Sequence, residues 1–193
     1  MFGTSRDLDE VRSPERPRQH MAFPYGPLEK IKHSGRVAAR EWQAWTMVFT
    51  LRSGPWSPTE VEAWLSDTVI PIRLGTEGKK GPLVQSLWFQ YMDGSLWCAT
   101  QSDSVLAKRV RRSRNIGWEV SPDAPPYRGV RGTGIGTIIT DPVVVESTLR
   151  SVISRYGQAD TPLASWLLGR LNNEIAVRID DLRITSWDYS PRM

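Results

Sequence analysis

Hydrophobic and polar positions mark out the C-terminal two thirds of the chain. Ser57-Pro58-Thr59-Glu60 places a serine cap, a proline at the first helical position and a glutamate three residues after the cap. That capping box predicts a helix ending near Asp67, with Val61, Trp64 and Leu65 on one face. Short strand-like runs follow: residues 69–75 (VIPIRLG), a Gly/Lys turn, then 83–91 (LVQSLWFQY). Asp93-Gly94 is a strong two-residue hairpin signal into a strand at 95–100. Residues 104–113 fit a helix and 115–120 another strand. After the proline-rich PDAPPY comes a long strand at 129–140, broken by Asp141-Pro142. Helices are expected at 143–156 and 161–170. The closing strand at 174–187 alternates, with Ile175, Val177 and Ile179 on one face and then Leu182, Ile184 and Ser186. About six strands in hairpins with few helices predict a mainly β (α+β) fold, a small antiparallel barrel.

Three segments follow from the same pattern: a flexible tail at 1–27, an extension of open structure at 28–56, and the barrel domain at 57–190. Gly132, Gly134 and Gly136 alternate within the long strand. No helix opens after them, which excludes a dinucleotide-binding loop. The pattern instead bares one strand face for a tryptophan, a partner subunit or a planar ligand, or allows a barrel corner to bend.

Composition narrows the function classes. The 193 residues are 39% hydrophobic and 24% charged, ordinary for a globular domain. No apolar run suits a bilayer span and the N-terminus has no apolar signal core, so a cytoplasmic protein without membrane partners is expected. A single cysteine, Cys98, excludes an internal disulfide and is expected to pack as a small hydrophobe. Two histidines far from that cysteine supply no metal site.

The net charge of +4 sits in one place. Residues 101–131 hold seven bases against three acids, and the rest of the chain sums to zero. Five bases fall between 108 and 114: Lys108, Arg109, Arg111, Arg112 and Arg114. Val105, Leu106 and Val110 are expected on the core side of that helix, with Arg109, Arg112 and Arg114 solvated. Nucleic-acid binding would need bases interleaved with exposed aromatics, and Trp97 and Trp118 lie on strands where burial is the default. The preferred reading is an anion site, in which Thr100, Gln101 and Ser104 supply donors where a strand meets a helix start and Lys108 adds a charge.

The order "PLVQSLWFQYMDGSLWCATQSDS", basic helix, "NIGWEV", "YRGVRGTGIGTI" and "ITSWDYS" resembles the pyridoxamine 5'-phosphate oxidase-like split-barrel flavoproteins over roughly residues 57–188. The resemblance implies a six-stranded split barrel with flanking helices, homodimeric, with a cofactor in a cleft between subunits. It assigns Gln85, Ser86, Leu87 and Trp88 to the isoalloxazine ring. Thr100, Gln101 and Ser104, with Lys108, fall to the phosphate, and Arg131 to the dimer cleft. FMN is the first cofactor implied, then a deazaflavin coenzyme, with haem a minor option. The chain departs from the family pattern at Val105 and Leu106, where many relatives carry a base. The implied activity is a flavin- or deazaflavin-dependent oxidoreductase acting on a small molecule, with no catalytic side chain assigned. A non-catalytic flavin- or haem-binding barrel is the alternative, and a nucleic-acid-binding barrel a lesser one.

Overall fold

The computed structural model describes residues 49–193. The expected tail and residues 28–48 of the expected extension lie outside the described residues. The elements are β1 (Thr50–Ser53), α1 (Pro58–Asp67), β2 (Ile72–Thr76), β3 (Leu83–Leu87), β4 (Phe89–Met92), β5 (Ser95–Gln101), α2 (Val105–Arg112), β6 (Asn115–Val120), β7 (Arg128–Ile139), α3 (Pro142–Arg155), α4 (Pro162–Leu168) and β8 (Glu174–Asp188). One sheet holds all eight strands in the order β3-β2-β6-β7-β8-β5-β4, with β1 paired to β8. Every pairing is antiparallel except that of β1 with β8.

The run expected as one strand at 83–91 is two. β3 pairs with β2, whereas β4 pairs with β5 at the far end of the sheet. A single residue, Trp88, joins them. The two ends of the hydrogen-bonded path are thus one residue apart, and the sheet must curl until they meet. Counted as one interrupted strand, β3–β4 brings the antiparallel barrel to six strands. β1, formed by residues whose structure the sequence left open, adds a short parallel seventh.

Local chemistry explains the remaining joints. Asp93 and Gly94 take φ values of 51° and 73°, the double positive-φ turn that suits the twist of the β4–β5 hairpin. Ser57 Oγ accepts from the Glu60 amide at 3.3 Å, and Glu60 accepts from the Ser57 amide at 2.7 Å, closing the expected capping box on α1.

The change of phase in β8 has a physical cause. Asp181 lies at φ 50°, and the β7–β8 register shifts by one residue opposite Gly134. Without that bulge, Leu182 and Ile184 would turn to the outer face. With it, Ile175, Val177, Ile179, Leu182 and Ile184 all stay inside, each at most 2% exposed.

They pack with Phe89, Leu65, Ile72, Leu74, Leu96 and Ile116 in the main core. The bare face of β7 is covered by a tryptophan at Gly132, where a Cβ would lie 2.9 Å from Trp118 Cζ2, and by Ile179 and Ile116 at Gly134 and Gly136. Cys98 is fully buried in the same core. A second cluster (Leu149, Val152, Ile153 and Ala164) lies under α3 and α4. No helix among the described residues is long and apolar enough to cross a membrane.

Candidate functional site

A cleft of about 420 Å³ opens between the Trp88 joint, the end of β5 and the roof made by α3 and α4. Its strand side is Ser86, Leu87, Trp88, Ala99, Thr100 and Gln101, and its helix side is Leu149, Val152 and Leu167. That volume falls in the usual range for small-ligand clefts. Five of the nine residues expected at a site therefore converge. Gln85 alternates to the face opposite Ser86 and is not in the lining. Its Oε1 is buried and has no hydrogen-bond partner among the described residues.

Trp88 is neither fully buried nor free. Its ring stacks on Tyr156 at 5.0 Å and 15°, and it packs against the cluster under α3. The Tyr156 hydroxyl donates to the Ile70 carbonyl at 2.9 Å. Burial pushes the Tyr156 phenol up from its ordinary value. The stack fixes the tryptophan where the sheet changes direction, so the cleft wall is preorganised.

The polar end of the cleft carries residues that local sequence did not single out. Glu174 sits opposite Gln101 in the β5–β8 register and lines the cleft. It is 8% exposed. Arg170 Nη2 lies 3.4 Å from Glu174 Oε1. The same guanidinium faces the Gln101 side-chain amide, whose oxygen accepts from it once the amide is turned over, and stands 4.1 Å above the Trp166 ring. Burial raises the Glu174 carboxyl above its usual range, opposed by the nearby Arg170 charge. The i,i+4 spacing of Arg170 and Glu174 was visible in the sequence. Their approach to Gln101, brought about by strand pairing, was not.

The basic segment turns out to bind the protein's own backbone. Arg109 donates to the carbonyls of Thr76 (2.8 Å) and Gly81 (3.1 Å), and Arg112 to that of Glu77 (3.2 Å). Arg114 donates to Gly136 O at 2.9 Å and Thr137 Oγ1 at 2.7 Å, and Arg111 to Ser102 O at 2.8 Å. These side chains tie α2 and its flanks to β2, the following turn and β7. They are not merely solvated, because a guanidinium fork can satisfy several carbonyls at once.

Leu106 and Val110 are buried as expected, but Val105, at the first helical position, is 50% exposed. Ser104 Oγ accepts from the Ala107 amide at 3.1 Å, so the hydroxyl caps α2. Lys108 is exposed, and neither residue lines the cleft.

Arg131 stands apart from the other candidates. It lies on the outer face of β7 in a shallow groove with Arg52 and Arg183. A larger hollow of about 1030 Å³ adjoins it over Gly75 and Gly117. That hollow contains none of the nine expected residues.

No family model matches the chain, and no curated protein matches it. Solved structures do. A conserved hypothetical protein from Mycobacterium tuberculosis is 26% identical with a TM-score of 0.60, over 70% of this chain and 86% of that one. An F420 reductase is 17% identical with a TM-score of 0.52, over 63% of this chain and 94% of the other. A protein from Listeria innocua named for pyridoxamine 5'-phosphate oxidase is 13% identical with a TM-score of 0.52, over 66% and 95%. Likeness at such identities speaks for architecture rather than activity. With the joint at Trp88 and the curled eight-stranded sheet, it establishes that this chain has the fold of the pyridoxamine 5'-phosphate oxidase-like split-barrel proteins.

Proposed function

We propose that the protein is a flavin- or deazaflavin-dependent oxidoreductase that holds its cofactor in the cleft beneath α3 and α4. One observation carries the reading: strand ends far apart in the sheet order bring Ser86, Leu87 and Trp88 together with Thr100 and Gln101 in a single lining. Leu87, Leu149, Val152 and Leu167 offer apolar surface to a flat ring. Ser86, Thr100 and Gln101 offer polar groups to its edge and side chain. When bound, such a group supplies the hydride chemistry, and the chain's part is to position it and shield it from water. The F420 reductase among the neighbours supports a redox role. A haem storage protein shares the fold too, but among the described residues the cleft lining contains no His, Cys, Met or Tyr to ligate iron.

The working form in this reading is a homodimer. Arg131 faces away from the cleft of its own chain, so its expected contact requires a second copy. Light scattering that shows only monomer would remove Arg131 from the site. The reading as a whole is tested by absorption spectra after separate addition of FMN, the deazaflavin coenzyme and haemin. Retention of one of the first two, followed by bleaching with NAD(P)H or reduced deazaflavin, is expected. Failure to retain either would leave the fold without this function.

A further inference from the structure

Part of the expected phosphate socket serves the protein's own backbone or lies away from the cleft. Ser104 Oγ holds the Ala107 amide, the Ser102 amide donates to Asn173 O at 2.7 Å, and Lys108 points to solvent. The cation at this end of the cleft is Arg170, which arrives from the turn after α4. Its charge does not stand free: Glu174 lies 3.4 Å away and Trp166 covers one face. The Glu174 side chain is 3% exposed, yet the residue lines the cleft beside Thr100 and Gln101. A phosphate placed against Gln101 would therefore meet a carboxylate as well as a guanidinium. In a site poorly supplied with water, the repulsion and the attraction are of similar reach and nearly cancel.

We infer that Glu174 is the specificity residue of the cleft: by neutralising Arg170 it makes the site select a ring and its neutral hydroxyl-bearing side chain, with no advantage to a terminal phosphate. This rests on the cofactor reading above and adds to it which part of the cofactor is recognised. It also accounts for the departure at Val105 and Leu106, since a site that does not grip phosphate needs no base there. Arg170 positions the Glu174 carboxylate, and the carboxylate acts on the ligand through its charge, by repelling a phosphate. Among the described residues, Arg170 is the charged group that acts on Glu174, against the effect of burial.

The test is a pair of titrations on the full chain at pH 7.5: riboflavin against FMN, and the phosphate-free deazaflavin chromophore against its phosphorylated coenzyme. In the natural protein the dissociation constants within the preferred pair are expected to agree within about threefold. In Glu174→Gln, which keeps the shape and removes the charge, the phosphorylated member should bind at least tenfold tighter. The phosphate-free member should move less than threefold, which also shows that the variant is folded. A tenfold or greater preference for phosphate in the natural protein, unmoved by Glu174→Gln and lost in Lys108→Ala, would overturn the inference and restore the strand–helix turn as the socket. An unchanged phosphorylated ligand in Glu174→Gln would overturn it equally. Binding of neither pair would sink the cofactor reading itself, and this inference with it.

Discussion

Tyr156 separates what the cleft wall needs from what the fold needs. Its hydroxyl makes one good hydrogen bond, to Ile70 O at 2.9 Å, and a long one from the Phe89 amide at 3.4 Å. Tyr156→Phe removes both and keeps the ring against Trp88. A single net hydrogen bond of this kind contributes about 1 kcal/mol. Tyr156→Ala also removes the ring. A fully buried aromatic truncated to alanine costs about 3–5 kcal/mol, and roughly half of that applies to this half-buried ring. Losing a stack of this geometry adds about 1 kcal/mol. The expected losses are thus about 1 kcal/mol for phenylalanine and about 4 kcal/mol for alanine, read from urea unfolding midpoints at constant slope.

The ligand readout should split more sharply. With Trp88 still backed by a ring, Tyr156→Phe keeps cofactor affinity within about twofold. With its support gone, Tyr156→Ala weakens affinity at least tenfold, because the preorganised wall must be rebuilt on binding. Cofactor absorbance is the better probe, since nine tryptophans would blur intrinsic fluorescence. Equal destabilisation by the two substitutions, or full affinity in Tyr156→Ala, would refute the role given to the stack.

Other expectations concern the barrel and its caps. Burial pushes the Cys98 thiol up to about 12 from its ordinary 9. Between those values the unfolded chain has lost a proton that the folded chain keeps, so stability falls as pH rises through that window. Cys98→Ala should flatten that part of the pH profile, with Tyr91→Phe as the control for the phenol that burial and then Glu62 raise to about 12. Gly132→Val drives its Cβ into the Trp118 ring and the Arg183 carbonyl and should cost at least about 3 kcal/mol. Gly117→Val, whose Cβ would meet nothing within 4 Å, should stay within about 0.5 kcal/mol, and melting temperatures decide between them. Ser104→Ala should cost about 1 kcal/mol of stability by uncapping α2, with little change in cofactor retention.

Local signals in the sequence were enough for most of the elements. Ser57 to Glu60, Asp93-Gly94 and the broken alternation of 174–187 each carry their own stereochemistry, and each appears in the structure where the residues place it. The break at Trp88 was not legible, because LVQSLWFQY is continuously strand-like and only pairing with two different partners splits it. The same holds for the arginines of α2. A guanidinium's partner is chosen in three dimensions, and the carbonyls of Thr76, Glu77 and Gly81 are distant along the chain. Ser86, Leu87, Trp88, Thr100 and Gln101 were legible as a group through a family likeness. Arg170 and Glu174 were invisible to it, since they reach the cleft through β5–β8 register. Burial of Trp118 over Gly132 was one of the alternatives the glycine pattern left open, and packing decided it.

β8 has three neighbours: β7 along nearly its whole length, β5 against its first half and β1 against its second. It is also the last of the eight described strands to leave the ribosome. Until it arrives, β5, β7 and β1 each present an unsatisfied edge, and the main core lacks Ile175, Val177, Ile179, Leu182 and Ile184. The nascent chain can form hairpins but cannot close, so exposed strand edges persist through most of synthesis. A ribosome stalled or a message truncated before codon 174 should therefore yield an aggregating or chaperone-held product rather than a smaller stable barrel. Quality control of this domain turns on the synthesis of Glu174–Asp188.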